Sequence, residues 1–156
     1  ASRIVNGFPN GRFMPDQSVS RAEFAKMICL AMQIDTAGGA ADFFDVSDGA
    51  WYASYIKALA DKGIVTGFSD GGFHPDEVIS RQDAAVMLWR CLYGGQTESD
   101  RKDAVFHDFS EVDGYAKTAV LGLYEKGLVS GYENRFYPKT EITRAEAAQL
   151  LYRCMN

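Results

Sequence analysis

Gly67-Phe68-Ser69-Asp70-Gly71-Gly72-Phe73-His74-Pro75-Asp76 is a stretch that this 156-residue chain spells out three times. Sixty residues earlier (67 against 7) it reads Gly7-Phe8-Pro9-Asn10-Gly11-Arg12-Phe13-Met14-Pro15-Asp16, with no gap. A third copy, Gly131-Tyr132-Glu133-Asn134-Arg135-Phe136-Tyr137-Pro138, is one residue shorter in the turn. Each copy runs on into a common tetrad: Ser20-Arg21-Ala22-Glu23, Ser80-Arg81-Gln82-Asp83 and Thr143-Arg144-Ala145-Glu146. Self-similarity of this kind marks a repeat architecture, in which one unit cannot bury its apolar face alone.

The other half of the unit occurs twice. Phe44-Asp45-Val46 leads into Trp51 through Val65, and His107-Asp108-Phe109 leads into Tyr115 through Val129. The first copy keeps only the tail of this half, Ile4-Val5-Asn6-Gly7. Trp51, Tyr55, Ile56 and Leu59 lie on one helical face closed by Gly63, and Val120, Leu123 and Tyr124 with Gly127 repeat the arrangement. The Gly-aromatic–turn–Phe-x-Pro stretch then reads as a loop whose aromatics pin it to the helices. Ser20-x-x-Glu23 and Thr143-x-x-Glu146 are capping boxes, and Ser80-x-x-Asp83 approximates one. Behind them Met27-Ile28, Met87-Leu88-Cys91 and Leu150-Leu151-Cys154 form apolar stripes. The expected fold is all-α: helix–loop–helix repeats around a shared helical bundle with pseudo-threefold symmetry. Thr36 to Ala41 and Gly94 to Ala104 read as linkers, giving units at 1–41 (lacking the opening helix), 42–105 and 106–156.

Composition narrows the function. Apolar residues at 47% and charged residues at 24% describe a folded globular chain. No apolar run approaches the roughly 20 residues of a membrane span. The start, Ala1-Ser2-Arg3-Ile4-Val5, has no signal-peptide core, so an export signal is expected to have been removed or to lie upstream. A net charge of −5 argues against nucleic acid as partner while leaving room for a local cationic groove. The odd count of three cysteines, Cys29, Cys91 and Cys154, all in apolar helical patterns, points to small buried hydrophobes rather than a disulfide framework. His74 and His107 have no partner at ligand spacing, and the Asp70-Gly71-Gly72-Phe73 turn lacks the alternating acids of a calcium loop, so no metal or cofactor is expected. No nucleophile with a partnered base is visible, and the chain reads as a non-enzyme.

The arginines stand out. Arg21, Arg81 and Arg144 each occupy the first position of a helix, where the macrodipole disfavours a cation. Free N–H groups at a helix start together with a guanidinium would make a carboxylate-binding corner. The competing reading is an ion pair inside the chain, with Asp16 or Asp76 in the preceding loop, or with Glu141 near Arg144. Trp51 and Tyr115 begin the first helices, where a ring either stacks on a sugar or seals the helix end. Asp45 and Asp108 are expected as caps or turn residues rather than catalytic acids. Asp70-Gly71 is turn chemistry whose backbone also suits a groove rim.

A unit reading Phe-x-Asp-Val, Trp-Tyr-x-x-x-Ile-x-x-Leu, Gly-Ile-x-x-Gly, Asp-Gly-x-Phe-x-Pro and Ile-Thr-Arg-Ala-Glu resembles an S-layer homology module, and the resemblance covers nearly the whole chain. It implies three modules whose grooves bind secondary cell-wall polysaccharide, often through a pyruvate ketal on an amino sugar, at the extracellular cell surface. The groove residues it implies are Arg21, Arg81 and Arg144, with Ser20, Ser80, Thr143, Trp51, Tyr115, Asp70 and Gly71 around them. The sequence departs from the pattern in three places. The first module lacks its opening helix, which a missing segment or a partner chain would supply. The second reads Ile-Ser-Arg-Gln-Asp. The third places Arg135 in its turn, a cation expected beside the groove. The alternative function is a protein–protein assembly module of a surface layer.

Overall fold

The computed structural model describes residues 16–94 and 106–155. The first copy of the turn, at residues 7–15, and the linker beyond Gly94 lie outside the described residues. Within them the regular structure is α1 (Arg21–Ala31), α2 (Ala53–Asp61), α3 (Arg81–Tyr93), α4 (Lys117–Glu125) and α5 (Arg144–Met155). Two 3-10 turns, Phe109–Glu111 and Gly114–Ala116, lead into α4. The fold is the all-α repeat that the sequence pattern predicts.

Local chemistry sets the helix ends. Ser20 Oγ accepts from Glu23 N at 3.1 Å while Ser20 N donates to Glu23 Oε1 at 3.0 Å. Thr143 and Glu146 repeat the box at 3.1 and 3.2 Å. Ser80 Oγ accepts from Asp83 N, but the shorter Asp83 carboxylate turns outward to other partners. At the other end, Gly63 and Gly127 sit at φ 75° and 74°, conformations that disfavour any side chain. There Ile64 N donates to Leu59 O and Leu128 N to Leu123 O, both at 2.9 Å, which ends α2 and α4 in Schellman motifs. Trp51 and Tyr115 do not begin these helices as expected. α2 opens at Ala53, and Tyr115 lies in the 3-10 turn ahead of α4.

The three copies close on one another through their backbones. Val19, Ile79 and Ile142, one from each repeat, form a cycle. Val19 N donates to Ile142 O (3.1 Å), Ile142 N to Ile79 O (3.2 Å) and Ile79 N to Val19 O (2.9 Å). Antiparallel bridges Ser18–Thr143, Ser20–Val78 and Ser80–Glu141 flank this ring. The same cycle caps the helices: Arg21 N donates to Glu77 O, Arg81 N to Thr140 O and Arg144 N to Gln17 O, at 2.8 to 2.9 Å.

Below the ring the repeat-equivalent side chains Ile28, Leu88 and Leu151 are fully buried, as are Phe24, Ala84 and Ala147. One large and two small residues at the latter set keep the summed volume within what a close-packed core accepts. The opening helices ride on the long helix of the preceding repeat, α2 on α1 and α4 on α3, while α1 also packs on α5. Where the α4 and α3 backbones approach, Gly122 leaves no room for a Cβ, which would stand 2.3 Å from the Trp89 ring.

Candidate functional site

The ring arginines are where the repeats meet. Arg21 Nη1 lies 3.5 Å from Asp83 Oδ2, Arg81 pairs with Glu146 through Nη2, and Arg144 Nη1 lies 2.9 Å from Glu23 Oε2. Each guanidinium at a first helical position therefore meets the acid at the third position of the next helix, and three such pairs close a circle. Two expectations fall here. The acids are not Asp16, Asp76 or Glu141 but the helix acids one repeat on. The first N–H groups of α1 and α3 are not free, because neighbouring carbonyls, the Ser hydroxyl and the capping carbonyl already use them, and at α5 Arg144 N, Glu146 N and Ala147 N are used in the same way.

Arg21 is held by further contacts. Its Nε donates to Phe73 O at 2.9 Å, and the guanidinium lies 4.7 and 4.8 Å from the Phe68 and Phe73 ring centroids. Burial pushes its pKa down, with Asp83 acting in the opposite sense. At Glu146, burial alone would push the carboxyl up. The hydrogen bond and charge of Arg81, with help from Thr143, outweigh it and hold the group below its ordinary value.

Two clefts open beside these pairs. The first, of about 340 Å³, runs between Arg21, the Ile64–Ser69 strip, α3 through Asp83, Met87 and Arg90, and Tyr115 from the next repeat. The second, of about 210 Å³, is its repeat equivalent. Arg81 replaces Arg21, the strip is Leu128–Tyr132, and α5 contributes Glu146, Leu150 and Arg153. Tyr115 donates its hydroxyl to Asp83 Oδ1 at 2.5 Å and accepts from Gln82 Nε2 at 3.0 Å. Burial first, then the Asp83 bond, pushes the Tyr115 phenol pKa well up, so the hydroxyl stays protonated. The buried Gln82 also exchanges two hydrogen bonds with Asp113, which Lys139 pairs from the third repeat. The Gln-Asp departure of the second repeat thus fixes the strip that carries Tyr115.

Other predicted residues fall elsewhere. Trp51, half-exposed, sits edge-on to Tyr52 with Lys26 Nζ 5.7 Å from its ring centroid, and lines neither described cleft. Ser20, Ser80 and Thr143 are occupied as caps and do not line the two described clefts. Asp70 and Gly71 lie at the turn tip just past Ser69. Asp70 Oδ1 accepts from Gly72 N at 2.8 Å, and Oδ2 meets His74 Nε2 at 2.8 Å. Asp45 and Asp108 lie in turns, one of the two places expected for them, and neither lines a described cleft. Asp45 accepts from Phe73 N and His74 N, Asp108 from Phe136 N and Tyr137 N, all at 2.8 to 2.9 Å. Each carboxylate clamps the Phe-x-Pro loop of its own repeat. In the third repeat Glu133 and Asn134 both take positive φ in a two-residue turn closed by Tyr132 and Arg135, and Arg135 is not among the cleft-lining residues. Arg90 and Arg153 line the clefts without having been singled out from sequence. The signal was available, since each stands nine residues after its ring arginine (90 − 81 and 153 − 144).

Among the described residues no group of three or more His, Cys, Asp or Glu side chains is placed to hold a metal ion, and no helix is long and apolar enough to cross a membrane. The S-layer homology domain profile matches the chain three times, over residues 1–25, 42–85 and 105–148. An amylopullulanase of Thermoanaerobacterium thermosulfurigenes is 33% identical over 97% of this chain. A surface-layer 125 kDa protein of Lysinibacillus sphaericus is 30% identical over 98%, and a cellulosome-anchoring protein of Acetivibrio thermocellus 28% over 98%. The chain spans only 8%, 13% and 35% of those relatives' own length, respectively. With 113 of its 156 residues matched (25 + 44 + 44), the chain belongs to the S-layer homology domain family, whose modules hold proteins at the cell surface.

Proposed function

We propose that the chain is a non-catalytic anchor that binds an anionic cell-wall polysaccharide, its acid a carboxylate such as a ketal-linked pyruvate on an amino sugar, in the clefts between repeats. The observation that carries this reading is the recurrence, in a chain of net charge −5, of a cleft with two arginines against one acid and an aromatic wall. Arg21, Arg81 and Arg144 stand at the repeat interfaces as its floor. Tyr115 and Trp51 offer faces for a sugar ring, while Ser20, Ser80 and Thr143 fix the helix starts. Asp70 and Gly71 shape the turn beside the first cleft. The modules follow the repeat boundaries, 1–41, 42–105 and 106–156, and a polymer with many equivalent sugars engages them together, so modest single-site affinities multiply. The relative named as an amylopullulanase fits this reading, since this chain corresponds to only 8% of its length.

The test is sedimentation of the chain with purified cell-wall sacculi, before and after mild acid removal of ketal pyruvate. Binding that disappears with the ketal supports the carboxylate reading. Binding indifferent to that treatment refutes it and moves assembly through protein contacts to the front.

A further inference from the structure

His74 belongs to the loop beside the first cleft, and acids engage its imidazole at both nitrogens. Nε2 lies 2.8 Å from Asp70 Oδ2, and Nδ1 lies 3.1 Å from Glu77 Oε2. An ionised carboxylate only accepts, and a neutral imidazole carries one N–H, so the two contacts are satisfied together only by the doubly protonated ring. Loss of that proton leaves one carboxylate facing a lone pair, and one of the two contacts must open.

The same imidazole lies flat on Phe68, with ring centroids 4.0 Å apart and planes 9° apart. Phe68 lines the first cleft, and the Arg21 guanidinium lies over its ring at 4.7 Å from the centroid. The Phe68 backbone is fixed independently of His74: its N–H donates to Gly72 O at 2.8 Å and its carbonyl accepts from Gly71 N at 3.0 Å. What His74 governs is therefore the ring. An imidazolium stacked on a phenyl face adds a cation–π attraction that the neutral imidazole lacks. The charges around His74 are Asp70 and Glu77 in its own loop, Asp45 ahead of α2, which takes its backbone N–H, and Arg21 of α1, which shares the Phe68 ring. Three acids against one other cation favour the protonated form. The third repeat has Tyr132 where the second has Phe68, and Tyr137 where it has His74, and both tyrosines line the second cleft. That cleft has no imidazole in its wall. His107, the other histidine of the chain, lines neither described cleft.

We propose that His74 makes the first cleft responsive to pH: its imidazolium, clasped by Asp70 and Glu77, props the Phe68 ring as a wall, and loss of its proton releases that ring while the second cleft keeps its shape. The groups that contact a ligand are unchanged by this. On the anionic-glycan reading, on which this last step rests, a sugar in the first cleft loosens as pH rises and one in the second does not.

Aromatic NMR of the intact chain between pH 5.5 and 9 follows the His74 imidazole and the Phe68 ring together. Both should move with one midpoint, and Glu77→Gln should lower the two midpoints in step. His74→Tyr, which copies a third-repeat residue of similar backbone (φ 60° against 58°), should abolish the Phe68 step. His107→Gln should change neither. Titrating the same samples with a pyruvate-ketal methyl glycoside, read through the methyl groups of Val65 and Val129, reports on the two clefts separately. Across that pH range affinity at Val65 should fall about two- to fivefold, the range of a cation–π contact at an exposed site, and His74→Tyr should remove the fall. Affinity at Val129 should hold. A Phe68 ring that ignores the His74 titration, or a fall that His74→Tyr leaves in place, overturns the proposal and leaves the glycan reading standing. A glycoside that binds neither cleft while Phe68 still follows His74 overturns the glycan reading and leaves the pH-responsive wall standing.

Discussion

Asp108→Ala should be among the most destabilising single changes outside the apolar core. Asp108 is 3% exposed, and its two carboxylate oxygens accept from Phe136 N at 2.9 Å and Tyr137 N at 2.8 Å. Alanine leaves both N–H groups without their acceptor in a site that water reaches poorly. Each orphaned donor costs about 1–3 kcal/mol, so the pair together costs about 3–5 kcal/mol when the loop relaxes only in part. Asp108→Asn keeps one acceptor oxygen but turns an amide N–H₂ toward the other donor, and should cost about 2–3 kcal/mol. Asp45 makes the same two bonds in the second repeat from a less buried position, so Asp45→Ala should cost less than Asp108→Ala. Urea unfolding followed by far-UV circular dichroism reads these differences at unchanged slope. For a chain of this size, a 3 kcal/mol loss lowers the thermal midpoint by roughly 6–12 °C. Asp108→Asn within about 0.5 kcal/mol of the native chain would refute the clamp, because the geometry would then carry no net energy.

Other consequences are checked more briefly. Gly122→Ala should gain up to about 1 kcal/mol of helix propensity yet lose more by driving a methyl into Trp89, a net loss that Trp89→Leu in the same chain should relieve on thermal denaturation. Arg144→Gln should destabilise by about 2–3 kcal/mol and Arg81→Gln by less, since the Arg144 side chain is 9% exposed and that of Arg81 23%; equal costs in urea would argue that burial does not set the value of the ring pairs. His74 is raised above its ordinary pKa by its bonds to Asp70, then Glu77, so its clasp contributes fully below about pH 6.5 and fades as pH rises through the higher folded value. Asp70, held low by Gly72 N and then His74, works in the opposite sense and is lost only as pH falls below the carboxylate range. An imidazole NMR titration in which Asp70→Asn leaves the His74 midpoint unmoved would dismiss the clasp. Burial pushes the Cys29 thiol up to about 12 and Cys154 up to about 11, so native protein at pH 8 should label slowly at both with a disulfide reagent and rapidly in urea.

The helices and their ends were legible because the physics that makes them is local. A hydroxyl three residues before an acid, an apolar face at helical spacing and a glycine at its end decide α1 to α5 within a few turns of chain. What could not be read is where the ring arginines point. Glu23 was already explained as half of a capping box, and it is: Oε1 takes the Ser20 N–H. Its second oxygen takes Arg144, 121 residues away, and no short-range pattern distinguishes a glutamate doing one of these things from one doing both. Asp45 and Asp108 were expected in caps or turns, and both lie in turns, but the loop that each clamps was not legible. An acid just ahead of a helix has the composition of a cap, while its loop partner lies 28 residues on, beyond the reach of local rules. The clefts themselves form from segments of successive repeats, so only their walls, not their existence, were written in any one copy.

The ring has a consequence for how binding and folding are divided. A helix start ordinarily offers unpaired N–H groups and a positive dipole end to an anion. Here those donors face the carbonyls of the neighbouring repeat, and the cation placed among them is answered by an acid from the next helix, where the dipole favours negative charge. Closure thus uses helix-start donors to hold the three copies together. Outside the circle, Arg90 and Arg153 line the two described clefts. On α1 the same position is Leu30, and Lys26 Nζ of that helix lies 5.7 Å from the Trp51 ring centroid. Because these side chains take no part in closing the circle, each cleft can differ in charge and shape while the fold stays the same.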